Sequence, residues 1–164
     1  MRSAALALGA LVLSLPPGPA LLAQQPARVP ALSLDLAQRA AAAALEACEA
    51  DGYRVSVAVV DAGGNLKALL RADGAGPHTP DSSFKKAYTA ASLGRPTGEL
   101  ARLIVEQPEA QALRDMNEDI LILGGGLPIK TDGGVVGGIG VGGAPGGHLD
   151  EACARAGLEA MSGG

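Results

Sequence analysis

Between Arg71 and Thr97 the chain gathers side chains that could do chemistry: Arg71, Asp73, His78, Lys85, Lys86, Thr89 and Thr97, with Phe84 and Tyr88 among them. The run Arg71-Ala-Asp73-Gly-Ala-Gly-Pro-His78-Thr-Pro-Asp81 leaves a strand, crosses a glycine- and proline-bearing loop and enters a helix N-terminus. A helix start presents free N–H groups and the positive end of a dipole. A carboxylate or propionate could dock there, with Lys85 or Lys86 assisting. The His78 imidazole could ligate a metal-bearing cofactor, and Phe84 or Tyr88 could lie on an apolar ring. Alternatively, Asp73 or His78 could act as the acid–base group of an enzyme on a small carboxylate, with Lys86 or Arg71 holding the anion. A plainer account makes Asp81 a helix cap, the lysines a solvated face and His78 a loop residue.

Other chemistries lack their residues. Two histidines, no C-x-x-C and no H-x-x-x-H leave a side-chain metal site short of ligands. There is no G-x-S-x-G, and Ser56, Ser82, Ser83 and Ser92 suit strand or capping roles, so a serine hydrolase is disfavoured. Gly138-Ile-Gly-Val-Gly-Gly143 matches G-x-G-x-x-G in letters. Only one short helix follows it, which leaves no room for a second strand carrying a ribose-binding acid, so a nucleotide site is disfavoured. Half of the 24 glycines fall between Gly124 and Gly147. That density marks tight turns and backbone-close packing rather than a particular ligand. Asp150 and Glu151 open the last helix, where negative charge suits the dipole, and this suffices to explain them.

The elements that must position these residues follow from periodicity. Leu34, Ala37, Ala41, Ala44, Leu45 and Cys48 recur at helical spacing, with Ser33 as cap and Gly52 as stop. Val55–Val60 and Leu66–Arg71 flank the turn formers Asp61-Ala-Gly-Gly-Asn65 and predict a β-hairpin. Leu127–Thr131 and Val135–Val141 predict a second around Asp132-Gly133-Gly134, with Ile120–Leu123 as an additional strand. Between the hairpins lie one helix from Asp81 or Ser82 to Leu93 and another from a Thr97 cap to Pro108. A last helix spans about His148 to Met161. The expected fold is α/β (α+β): a single domain, order α-β-β-α-α-β-β-α, with an antiparallel sheet of about five strands and helices packed on it.

Arg2, the apolar stretch Ala4–Leu15 and Ala20-Leu-Leu-Ala23 read as a secretory signal over residues 1–23, followed by a flexible lead-in at 24–31 and a domain at 32–161. The apolar stretch is shorter than the roughly 18 to 20 residues that span a bilayer. No membrane association is therefore expected after its removal, and the mature chain is expected in the periplasm or outside the cell. A formal charge of −4, with no basic run longer than Lys85-Lys86, argues against nucleic acid and anionic membranes. Export would permit a Cys48–Cys153 disulfide between the first and last helices. Both cysteines sit on apolar helical faces, and two buried thiols are the favoured reading.

Taken together, Val59-Val-Asp-Ala-Gly-Gly-Asn65, Arg71-Ala-Asp-Gly-Ala75, Lys86-Ala-Tyr-Thr-Ala90, Arg95-Pro-Thr97, Gly125-Gly-Leu-Pro-Ile129, Val136-Gly-Gly-Ile-Gly-Val141 and Asp150-Glu-Ala-Cys-Ala154 resemble the GlcG/HbpS family of haem-binding and proposed haem-degrading proteins. The match runs from about Leu32 to Met161 and rests on order and spacing. It implies a compact domain with an antiparallel sheet, and a homo-oligomer for which an octamer is one candidate size. It also implies haem or a related tetrapyrrole as ligand, with His78, Lys86, Thr89, Thr97 and Asp73 as the binding residues. Gly142 departs from the serine that many members carry, which removes any hydroxyl role there. Two rival functions remain at this stage: an enzyme of small-carboxylate metabolism, and an oligomeric interaction module without a small ligand.

Overall fold

The computed structural model describes residues 31–162. The expected export segment, and the lead-in apart from Ala31, lie outside the described residues. Helix α1 (Leu34–Ala50) leads into the hairpin β1 (Ser56–Asp61) and β2 (Leu66–Arg71). Helices α2 (Thr79–Leu93) and α3 (Thr97–Glu106) and a 3₁₀ segment (Pro108–Asp115) follow. The second hairpin, β3 (Gly126–Thr131) and β4 (Gly134–Gly142), precedes α4 (Gly147–Ser162). The four strands form one antiparallel sheet in the order β2-β1-β4-β3. Helix α2 covers one face, and α1 and α4 cover the other. Among the described residues no helix is long and apolar enough to cross a membrane.

Two expectations need correction. Among the described residues the sheet has four strands, not about five, because Ile120–Leu123 is not a strand. Its backbone donors are spent elsewhere: the Ile120 N–H reaches Asn117 O at 3.1 Å, the Leu121 N–H the Thr89 hydroxyl at 2.8 Å, and the Leu123 N–H Leu121 O at 3.0 Å. A segment that spends three of its four donors on turns and on a helix side chain cannot sustain a ladder. The cysteines are also not free thiols: Cys48 and Cys153 form a disulfide across 105 residues with Cα atoms 5.4 Å apart. The small residues Ala40, Ala44 and Gly157 where α1 meets α4 bring the helices close enough for that bridge.

Strand alternation decides what the glycine tract is for. On β4, Ile139 and Val141 point into the larger core with Val57 and Val59 of β1 and the alanine face of α1. The alternate positions Gly138, Gly140 and Gly142 face α2. A Cβ at Gly138 would collide with the Ala87 carbonyl, and one at Gly140 with the Ser83 carbonyl, so α2 lies directly on bare backbone. The dinucleotide pattern in these letters is thus the imprint of a helix. Gly140→Ala is expected to cost about 1–3 kcal/mol, since the obstructing atoms are backbone and must move as a unit. Chemical denaturation against the parent chain measures that loss. A change below a few tenths of a kcal/mol would refute the packing argument.

Candidate functional site

Helix α2 presents His78, Ser82 and Lys86 on one side, each four residues after the last, so the three fall along one ridge. His78 is the exposed N-cap residue, Ser82 is half-buried and Lys86 is buried. With Leu123, the Gly143–Gly147 rim and Asp150 they line a cleft of about 260 Å³. Helices α2 and α4 both begin at this cleft, so both positive dipole ends point towards it. Leu123, 50% exposed, joins Ala144 and Pro145 in an apolar lip.

The floor of the cleft is a buried ion pair. Lys86 Nζ donates to Asp150 Oδ2 at 2.7 Å and to the Val141 carbonyl at 2.9 Å, and each side chain is only 3% exposed. Asp150 Oδ1 accepts the Ala144 N–H at 3.0 Å. Burial pushes the Asp150 carboxyl above its ordinary range, while the Lys86 charge and this N–H donor pull it back. Gly125, at φ +124°, roofs the pair: a Cβ there would lie 2.8 Å from Lys86 Nζ. Only glycine allows the backbone to pass so close in that conformation.

The structure brings together some of the expected residues and separates others. His78 and Lys86 line the same cleft. Lys86 is not part of a solvated lysine face, because Asp150 takes up its charge. Thr89 and Thr97 are fully buried with their hydroxyls engaged. Thr89 Oγ1 donates to Lys85 O at 2.7 Å and accepts from Leu121 N–H, while Thr97 Oγ1 accepts the Gly126 N–H at 2.8 Å. Thr97 thus pins the glycine-rich start of β3, and Thr89 pins the Leu121 segment that leads to it. Asp73 sits exposed in the turn after β2, away from the lining residues. Arg71 donates to the Ala75 carbonyl and shapes that loop. Phe84 and Tyr88 lie off the cleft ridge, with ring centroids 6.2 Å apart. Phe84 packs on Ala58, Val60, Ala87 and Ala91, and Tyr88 packs against Gly64.

Asp150 and Glu151 do more than favour a helix dipole. Asp150 neutralises Lys86, and Glu151 Oε1 accepts the Gly98 N–H at 2.9 Å. Glu151 thus caps α3, and Thr97, which the sequence suggests as the cap, is the first helical residue. A signal for Asp150 was present in the sequence. It lies three residues before Cys153, four before Ala154 and seven before Gly157, on the buried face of α4. An acid on a buried face requires a partner.

Residues 32–159 match the family described as Haem degrading protein HbpS-like. GlcG of Escherichia coli K12 is 34% identical over 110 residues, covering 67% of this chain and 80% of that protein. The crystal structure of a double mutant of HbpS from Streptomyces reticuli superposes with a TM-score of 0.77 at 46% identity, covering 87% of this chain and 97% of that one. ORFY from Klebsiella pneumoniae gives a TM-score of 0.80 at 31% identity over 87% of this chain and 98% of its own. PduOC, crystallised in complex with haem, gives 0.72 at 28% identity over 79% and 94%.

Proposed function

Because the chain belongs to the HbpS-like family of haem degrading proteins, we propose that it is an exported haem-binding protein that holds a tetrapyrrole at the α2–α4 cleft, with His78 as the residue nearest the iron. The observation that carries this reading is the position of His78: an exposed imidazole on the rim of a cleft where two helix N-termini converge beside an apolar lip. This donor set suits haem. An imidazole can ligate the iron, free N–H groups and dipole ends favour the propionates, and Leu123, Ala144 and Pro145 can cover part of the ring. The haem bound to the PduOC relative supports the same ligand class.

The cleft, at about 260 Å³, falls short of the roughly 300–1,000 Å³ usual for a small-molecule site. The ring would therefore project from one subunit and be completed by another copy, which fits a homo-oligomer. Lys86 belongs to this site as the floor. Thr89 and Thr97 act behind it as supports, and Asp73 stands outside the cleft in the loop that leads to His78. Export is supported by the apolar stretch Ala4–Leu15 and by a disulfide suited to an oxidising compartment. Any haem degradation would be a further step requiring a reductant and oxygen from elsewhere.

The test is a haemin titration of the purified protein followed by absorbance, with stoichiometry read from size-exclusion fractions. A saturable Soret shift is expected, with His78→Ala weakening binding by about tenfold or more and altering the band, as loss of an axial ligand would do. Non-saturating uptake indifferent to the substitution would overturn the haem reading. Weight would then move to a small-carboxylate enzyme, detectable by turnover, or to a ligand-free interaction module.

A further inference from the structure

We propose that the Lys86–Asp150 pair is the positioning element of the cleft: it fixes the Gly143–Gly147 rim against the His78 end of α2 and thereby sets how a ligand meets the imidazole. This rests on the haem reading for its ligand and on geometry for the rest. The rim connects the end of β4 to the start of α4, and all five of its residues are glycine, alanine or proline, with no side-chain donor of their own. What anchors it from the side is Asp150, whose Oδ1 accepts the Ala144 N–H at 3.0 Å. Asp150 is anchored in turn by Lys86, and Lys86 by the Val141 carbonyl. One chain of bonds thus joins α2, β4, the rim and α4. Lys86 stands two turns along α2 from His78, so the helix that carries the imidazole also holds the rim.

Stability alone does not account for the arrangement. Two buried charges are costly to desolvate, and an apolar pair of similar volume would serve the fold about as well. A pair that lines a cleft and holds an otherwise featureless loop has a second consequence, which is the definition of that loop's position.

The test compares the parent chain with Lys86→Met/Asp150→Leu and with Asp150→Asn, each first checked for folding by circular dichroism and size exclusion. Amide hydrogen exchange is read at Gly143–Gly147 and at β1, and haemin titrations are read by Soret band and affinity. The paired variant is expected to exchange at least about tenfold faster at the rim with β1 unchanged, and to bind haemin about tenfold more weakly with an altered Soret band. Asp150→Asn keeps the acceptor for the Ala144 N–H and should fall between the two. Unchanged rim exchange in the paired variant would overturn the proposal. So would faster rim exchange with haemin binding that matches the parent. If the parent chain itself shows no saturable haemin binding, the haem reading falls, and the exchange comparison alone decides whether the pair holds the rim.

Discussion

Removing the Cys48–Cys153 bridge is expected to lower the stability of this protein by about 4–5 kcal/mol, the entropic estimate for a loop of about 100 residues. The bridge spans 105 residues and ties the first helix to the last. For a small domain holding roughly 5–15 kcal/mol in all, that is a large share. The composition of the interface sharpens the expectation. Where α1 meets α4 the buried side chains are mostly alanine, and these bury little apolar area per residue. Cross-linking therefore carries stability that a bulkier core would supply by burial. Both sulfurs are buried, so reductant alone should act slowly and reduction should need partial unfolding first. Urea titrations of the oxidised chain and of Cys48→Ala/Cys153→Ala measure the effect. A loss under 1 kcal/mol would mean that the α1–α4 packing is sufficient without the bridge.

Breaking the Lys86–Asp150 pair from one side is expected to cost about 3–5 kcal/mol, whereas replacing both partners together should cost far less. Lys86→Met leaves the Asp150 carboxylate buried without its counter-charge. Asp150→Asn leaves the Lys86 ammonium facing only the Val141 carbonyl. Each single change strands a buried ion without its counter-charge. The paired Lys86→Met/Asp150→Leu change strands none. A double-mutant cycle on unfolding free energies measures the coupling. Additive single and double effects would show that the two groups do not act as a pair.

Much of this architecture was legible because it is local. The apolar repeat from Leu34 to Cys48 lies on α1, which begins one residue after the predicted Ser33 cap. Leu66–Arg71 is β2 at the predicted bounds, because the turn chemistry of Asp61–Asn65 leaves few alternatives. In that turn Asp61 accepts from the Gly63 and Asn65 N–H groups at 2.8 and 3.0 Å. Burial raises the Asp61 carboxyl, and the bonds from Asn65 and Gly63 outweigh it and hold it below its ordinary value. Helix α2 starts two residues earlier than its first acidic cap suggested, because Pro80 is already shaped for a helical first turn. Ile120–Leu123 has strand-like composition and still forms no strand, since its partners are the Thr89 hydroxyl and its own turns.

The sequence by itself determined the order of the four α-helices and two hairpins but not the 3₁₀ segment Pro108–Asp115 between them, together with the antiparallel class of the sheet, the His78 loop at a helix start and the family resemblance. These follow from periods of two and 3.6 and from turn residues, which act over a few neighbours. Tertiary structure alone decided that Lys86 is buried and neutralised by an acid 64 positions away, that Cys48 and Cys153 are joined across 105, and that Glu151 caps a different helix. The physical reason is that burial and charge pairing depend on which faces meet in space. A lysine or an acid on a helix carries the same letters whether its face meets water or a partner; only packing supplies the partner.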